Sequence, residues 1–390
     1  MARSFETMSV HAGEARAKAL DSLVTPLILA TAYPFANTDE LHRYFRGEYE
    51  RGEEYGRYGN PTQAVAESKL AELEGGEAAL LSATGMASIV TTMLAMIRPG
   101  MHIVITSDSY RKTRVLVRDF LTAFNIEHTS CEPSVEGIHA AIQPNTKLIV
   151  TESPTNPYLN CIDLEALAKI AKQQRIKTLI DATLATPYNL QPLGFGIDLV
   201  VHSATKYLGG HNDLMAGAVI GNKGLIEAIR EYQGMFGALA SPFTAYLLIR
   251  GLKTFAVRMK HQNESGQRIA EFLEGHAKVE QVWYPGLKSH PAHAIAKRQM
   301  RGYGALISFT VKGGVGEASK VVDACKIPYL APSLGGPESL IEQPALMSYY
   351  DKSPEERAAL GIRENLIRMS IGLEGTDDLV ADLDQALAQI

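Results

Sequence analysis

The sequence predicts an α/β protein: a large domain built on a mostly parallel mixed sheet, followed by a smaller α+β C-terminal domain. Three observations carry this expectation. Between about residues 60 and 232, short apolar runs alternate with amphipathic stretches of roughly 10–15 residues, the pattern of a sheet covered on both faces. Gly and Pro pairs such as Gly75-Gly76 and Pro99-Gly100 punctuate those runs. Mixed strand-like and helical patterns then continue to the C-terminus with no internal repeat and no low-complexity tract.

The elements follow in order. The first ~55 residues are charged and rich in tyrosine (Tyr44, Tyr49, Tyr55, Tyr58), with no clear core pattern. They read as an arm that packs on another subunit or as a loosely ordered extension. Residues 62–74 are rich in Ala, Glu and Leu and predict a helix, stopped by the glycine pair. Strands are expected at 78–82, 101–106, 147–152, 178–182, 198–202 and 217–220, with helices at 85–97, 112–124 and 164–174. Residues 240–260 form a long amphipathic stretch able to bridge two domains. Beyond it, 305–311 and 366–371 read as strands, and 315–325 and 376–388 as helices. The expected division is therefore an arm at 1–58, a cofactor-binding large domain at 59–255 and a substrate-binding C-terminal domain at 256–390.

Composition excludes several classes. Lys and Arg number 38 against 43 Asp and Glu, a net charge of −5, which argues against a non-specific nucleic-acid binder. No apolar run approaches the roughly 18–20 residues of a membrane span. The stretch MARSFETMSVHAGEARAK has no apolar segment of a secretory signal, and its scattered glutamates argue against a transit peptide, so a cytoplasmic location is expected. The three cysteines, Cys131, Cys161 and Cys325, show no CxxC or Cys/His ligand spacing, so neither a disulfide framework nor a metal site is expected. No GxGxxG follows a strand, and GxxxxGK[ST], GxSxG and HExxH are absent. The commonest nucleotide, hydrolase and metal chemistries therefore lack their signatures.

Three motifs survive. In DLVVHSATKYLGGHND (Asp198–Asp213) a strand ends at His202 and is followed by Ser203, Thr205 and Lys206. A lysine at a strand's carboxyl end sits where α/β sheets bind ligands, and flanking hydroxyls suit phosphate oxygens. A covalently engaged lysine beside phosphate donors is what pyridoxal phosphate requires. Alone, the motif reads equally as a surface lysine in a Ser/Thr turn. Asp181 closes the apolar run TLID, 25 residues before Lys206; buried, it would pair with a protonated pyridine nitrogen, and in isolation it is also a plausible turn residue. In SATGMAS (Ser82–Ser88), small residues lead into a helix whose first free N–H groups, at Gly85 and Met86, would bind an anion, or simply carry an N-cap.

Together with further motifs these residues mark a family. EYGRYGNPT (Glu54–Thr62), DSYRKTR (Asp108–Arg114), ESPTNP (Glu152–Pro157), DATLATP (Asp181–Pro187), SLGGPESLIEQPA (Ser333–Ala345) and NLIRMSIGLE (Asn365–Glu374) occur in order across the chain. The sequence resembles the pyridoxal-phosphate-dependent Cys/Met-metabolism (trans-sulfuration) family of transferase fold type I, the aspartate aminotransferase-like fold. The resemblance implies Lys206 as the Schiff-base lysine and Asp181 as the pyridine partner. It implies Gly85, Met86, Ser203, Thr205 and Thr183 around the cofactor, with Tyr110 stacked on its ring. Tyr55 and Arg57 match a pair that a neighbouring subunit inserts against the phosphate, so shared active sites and a homotetramer, a dimer of dimers, are implied. Lys206, Tyr110 and Tyr55 are the implied catalytic residues. Arg368 matches the arginine that grips the substrate carboxylate, with Asn156, Ser339, Glu338, Lys112 and Glu54 as further substrate contacts.

Departures from the family pattern narrow the reaction. Methionine γ-lyases in this family characteristically carry cysteine two residues after the stacking tyrosine, where this chain has Lys112. The run Tyr110–Arg114 and the stretch QPALMSYYDKSPEERAALGI resemble plant-type cystathionine γ-synthases, in which that lysine faces the leaving group. Solvated residues at a helix start are the alternative for Arg111 and Lys112, although cations are poorly placed at a helix N-terminus. Ala182 and Leu184 stand where relatives commonly have Asn and Phe. The expected reaction joins an O-succinyl, O-acetyl or O-phospho homoserine to cysteine, giving cystathionine. Cystathionine γ-lyase and homoserine sulfhydrylase activities remain the alternatives.

Overall fold

The structure, a computed structural model, describes residues 3–49 and 54–390. Seven strands form the large sheet: β1 (Ala78–Ser82), β2 (His102–Thr106), β3 (Glu127–Cys131), β4 (Thr146–Glu152), β5 (Lys177–Asp181), β6 (Leu199–His202) and β7 (Gly217–Gly221). Their order is β1-β7-β6-β5-β4-β2-β3. Only β7 runs antiparallel to its neighbours, β1 and β6.

Successive residues of one strand enter two different cores, as the twofold side-chain alternation requires. Ile103, Leu148, Val150, Leu179, Leu199 and Val201 pack with Ile89 and Met93 of the helix Gly85–Met96 and with Ile226 and Ile229 of the helix Lys223–Phe236. On the opposite face, Val104, Ile149, Ile180 and Val200 pack with Leu164, Leu167 and Ala171 of the helix Leu164–Gln174. Both faces are thus dry, which explains continuous apolar runs rather than alternating ones.

The second sheet contains β8 (Val279–Trp283), β9 (Leu306–Val311), β10 (Tyr329–Leu330), β11 (Leu340–Glu342) and β12 (Leu366–Ser370), ordered β10-β11-β12-β9-β8. All pairs but β10–β11 are antiparallel. Ile367 and Met369 of β12 pack in a core with Ile269 and Leu273 of the helix Phe255–Gly275 and Leu379 and Leu383 of the helix Thr376–Leu387. Arg368 lies between them in the strand, so it faces the other way, toward the large sheet.

Several expectations are corrected. The helix expected over 112–124 is broken: an α-turn at Arg111–Val115, a π-turn at Leu116–Phe120 and a 3-10 turn at Leu121–Phe124. The stretch 240–260 is two helices, Pro242–Leu252 and Phe255–Gly275, rather than one. β3 went unforeseen because its sequence, EHTSC, is polar; it is an edge strand paired only with β2. The beginning of the expected arm packs on its own chain. In the helix Phe5–His11, the Phe5 ring meets Tyr188 edge-on at 5.2 Å and Phe255 at 5.9 Å. Behind it the Lys69 ammonium, fully buried, donates to the carbonyls of Ser9 and Val10. No helix among the described residues is long and apolar enough to cross a membrane.

Candidate active site

The carboxyl ends of β4, β5 and β6, the loops after β1 and β2, and β11 and β12 of the second sheet enclose a cavity of about 480 Å³. Its floor is the start of the helix Gly85–Met96. Thr84 caps that helix by accepting from the Ala87 N–H at 3.0 Å. The N–H groups of Gly85 and Met86, at the first two helical positions, have no partner within the helix and meet the cavity with the positive end of the helix dipole. Ser203 and Thr205 line the same corner. The Thr205 hydroxyl is steadied by the backbone of Ala216, accepting from its N–H and donating to its carbonyl, each at 3.1 Å.

Gly85 is required for close approach here. A Cβ at this position would lie 2.9 Å from the Ser203 Cβ and 3.0 Å from its Cα. Gly85→Ala must therefore push apart the two segments that form the anion corner. We expect it to weaken cofactor binding about tenfold, from roughly 1–3 kcal/mol of overpacking. A spectroscopic titration of apoprotein checks this, and an unchanged Kd would remove the corner from the cofactor site.

Asp181, at the end of β5, sits deep in the cavity wall. Thr183 donates to its Oδ1 twice, from the hydroxyl at 2.5 Å and from the N–H at 3.0 Å. The Thr183 oxygen in turn accepts from the Ser203 N–H at 2.8 Å, tying the carboxylate to the anion corner. Burial pushes the Asp181 carboxyl up, and the Thr183 bonds only partly oppose it. No described residue bonds to Oδ2. A cation seated there would restore the charge balance.

Lys206 follows β6 by four residues and lines the cavity. Its Nζ donates to Ser333 Oγ at 2.6 Å. Ser333 is held at φ +96°, a backbone region that non-glycine residues rarely occupy, and strain of this kind is stored where the surroundings over-determine it. Burial, and then the nearby Arg368 guanidinium, push the Lys206 ammonium below the ordinary lysine value of 10.5. A lowered pKa leaves more neutral amine at neutral pH, and the neutral amine is the nucleophile. The rate at which apoprotein recombines with pyridoxal phosphate should therefore rise with pH through a midpoint below 10.5. A midpoint at or above that value in a stopped-flow pH series would contradict this.

Tyr110 reaches the cavity from the loop after β2, and its N–H donates to Glu152 Oε2 at 2.7 Å. Glu152 ends β4; burial, then the neighbouring Asp181 and Asp108, push its carboxyl well up. Across the cavity, β11 and β12 pair in a register that sets Glu342 opposite Arg368. The two form an ion pair at 2.8 Å with both side chains buried. Arg368 also donates to Asn156 Oδ1 at 3.3 Å and to the Ser333 carbonyl at 3.1 Å, while its Nε has no partner. A partly unsatisfied buried guanidinium is a ready site for a carboxylate.

Other expected site residues lie elsewhere. Ser339 is fully buried, and its hydroxyl donates to Glu374 Oε2 at 2.7 Å and accepts from the Gly372 N–H at 2.9 Å, so it braces the turn after β12 instead of lining the cavity. Glu338 is exposed and accepts from Asn212 Nδ2 at 2.7 Å, again off the cavity. Tyr55 and Arg57 stand outside the cavity of their own chain. The Arg57 guanidinium lies 5.4 Å from the Tyr55 ring centroid and 5.0 Å from that of Tyr58, and it donates to the Gly234 carbonyl at 3.2 Å. Glu54 belongs to the same segment, and its carbonyl accepts from the Tyr33 N–H. Lys112 lines a side pocket next to the main cavity. Ser333, Glu342 and Glu152 were not foreseen. Each lies inside a recognised motif, but its importance comes from a partner distant in sequence.

The cavity thus offers anion donors at one end, a buried carboxylate with an open oxygen in the middle, and an amine beside it. Pyridoxal phosphate carries a phosphate, a basic ring nitrogen and an aldehyde, so the residues present fit it. Comparison with known proteins agrees. Residues 6–388 match the family model described as Cys/Met metabolism PLP-dependent enzyme. Cystathionine gamma-synthase 1, chloroplastic, of Arabidopsis thaliana is 46% identical over 388 residues, covering 98% of this chain and 69% of that protein. L-methionine gamma-lyase of Fusobacterium nucleatum subsp. polymorphum is 42% identical, covering 98% of both. The crystal structure of cystathionine gamma synthase from Xanthomonas oryzae pv. oryzae, in complex with aminoacrylate and cysteine, superposes with a TM-score of 0.93 at 36% identity, covering 100% of this chain and 99% of that one. The chain belongs to the Cys/Met-metabolism family of pyridoxal-phosphate-dependent enzymes.

Proposed function

We propose that this enzyme is a cystathionine γ-synthase, replacing the γ-substituent of an activated homoserine ester with the sulfur of cysteine. The observation that supports it best is the convergence of Lys206, Asp181 and the Arg368–Glu342 pair on one cavity, with a cation-lined side pocket beside it. Similarity to the two synthases described above points to the same reaction.

Pyridoxal phosphate, when bound, supplies an electron sink for negative charge developing at the substrate Cα. Gly85, Met86, Ser203 and Thr205 hold its phosphate, and Asp181, steadied by Thr183, keeps its ring nitrogen protonated. Tyr110 covers the ring face. Arg368, with Asn156, fixes the substrate α-carboxylate so that the Cα–H bond is presented to Lys206. The Lys206 amine takes the proton from Cα, then one from Cβ, and returns protons as the reaction closes. The C–O bond at Cγ breaks with its electron pair leaving on the acid. The thiol sulfur then forms the C–S bond at Cγ, and the thiol proton ends on the released acid or solvent. Lys112 faces the departing anion. Tyr55 and Arg57 reach the cofactor phosphate of a neighbouring subunit, with Glu54 beside them. This requires at least a dimer, and we favour a homotetramer. Exposed Leu20, Leu23, Leu29 and Met235 support burial between subunits. We retain the division into an arm (1–58), a cofactor domain (59–255) and a substrate domain (256–390). We place the enzyme in the cytoplasm, in keeping with three free cysteines.

The test is incubation of purified holoenzyme with O-succinyl-, O-acetyl- or O-phosphohomoserine, with and without cysteine or sulfide. Cystathionine is the expected product. Products formed only with sulfide would indicate a sulfhydrylase, and rapid 2-oxobutyrate release from cystathionine a γ-lyase.

A further inference from the structure

Beside the main cavity lies a side pocket of about 160 Å³, which shares Tyr110, Asn156, Glu342, Ser348 and Arg368 with it. This is several times the space one water needs, so the pocket admits a ligand larger than a hydrosulfide ion. Its outer wall is the segment carrying Ser348 and Tyr349, held down by Arg111. That guanidinium donates to the Ser348 carbonyl and to Asp351 Oδ2 at 2.7 Å, and lies 5.7 Å from the Tyr349 ring centroid. The Tyr158 hydroxyl fastens the far end of the segment, donating to the Gly361 carbonyl at 2.6 Å.

The charges in this pocket are unevenly satisfied. Arg111 is neutralised by Asp351, and Arg368 by Glu342. The Lys112 ammonium, exposed at the rim, has no ion pair or hydrogen bond with any described residue. Glu342 is 2% exposed, and neither of its carboxylate oxygens has a hydrogen-bond partner, although Oε1 lies 2.8 Å from the Arg368 guanidinium. One unpaired cation and one buried carboxylate without a hydrogen bond therefore line the same side pocket. The geometry points to this pocket as the subsite for the acceptor amino acid, which binds as a zwitterion with its carboxylate on Lys112 and its ammonium on Glu342. The inference rests on the γ-replacement reading and adds to it the feature that selects an amino-acid thiol over free sulfide. The acid leaves before the thiol enters, so Lys112 serves the leaving anion first and the acceptor carboxylate second.

Two thiols dissect the pocket. Cysteamine has the ammonium without the carboxylate, and 3-mercaptopropionate has the carboxylate without the amine. In Lys112→Gln holoenzyme, kcat/KM for cysteine relative to cysteamine should fall about tenfold, the cost of one charge-assisted hydrogen bond. Calorimetric titration of the same holoenzyme with 3-mercaptopropionate should show a Kd about tenfold weaker than wild type. Lys112→Arg should restore both. A cysteine-to-cysteamine ratio and a 3-mercaptopropionate Kd that stay at wild-type values would overturn the subsite, even if the ester's own kcat/KM fell. Wild-type enzyme that forms no thioether from any ester would instead overturn the synthase reading, while the calorimetry would still decide whether the pocket binds a thiol carboxylate.

Discussion

Lys206→Ala is expected to fold normally and to lose turnover by roughly 10⁴-fold or more, because it removes both the covalent anchor and the group that moves protons at the substrate. Stability should change little. The Lys206 side chain is only half-buried against the cavity, and its single hydrogen bond goes to Ser333. Removing an amine that burial already disfavours in its charged form leaves no buried charge unpaired. Circular dichroism and a thermal melt matching wild type, together with absence of turnover, would separate chemistry from folding. A variant with substantial turnover would place the reactive amine elsewhere.

The second large effect is at Arg368. Arg368→Leu should lower kcat/KM for the ester by about 10²–10³-fold through loss of carboxylate fixation, from roughly 3–4 kcal/mol of lost pairing. It should also cost about 3–5 kcal/mol of stability, because Glu342 is left buried without its partner. The sign with pH follows. Among the described residues, Arg368 is the only charge that pulls the Glu342 carboxyl down against burial. Without it Glu342 is held in the protonated form, with a folded-state pKa raised further above its unfolded value. Such a group favours folding below the unfolded pKa and loses that benefit as pH rises toward the folded one. The stability deficit of Arg368→Leu should therefore be small in acid and grow toward neutral pH. The double variant Arg368→Leu/Glu342→Leu should recover most of the stability and none of the activity. Recovery of activity in the double variant would contradict the assignment of Arg368 to the substrate.

The large sheet was legible because both of its faces are dry. Buried parallel strands such as β2 (His102–Thr106) and β4 (Thr146–Glu152) leave apolar runs that need no partner to be recognised. β3 was illegible for the opposite reason, since an edge strand with one neighbour can be polar. The break in the 112–124 helix is also hidden, because the apolar spacing there continues through α, π and 3-10 turns. At the site, the convergence of Lys206, Asp181, Gly85 and Arg368 on one cavity could be anticipated because each stands next to a strand end or a helix start or in a strand. Glu342 could not, because its importance arises only from the β11–β12 register that sets it opposite Arg368. Ser339 lies off the cavity for a similar reason: its neighbour in space is Glu374, across the turn after β12. Tyr55 and Arg57 take on a role only if a second copy of the chain is present.

The central claim is that this cavity holds pyridoxal phosphate through Lys206. Borohydride reduction of the holoenzyme, proteolysis and mass spectrometry of the peptides test it most directly. The account predicts the reduced cofactor on the peptide containing Lys206, stoichiometric with the chain and with no other lysine labelled. Label on a different lysine, or none, would contradict it.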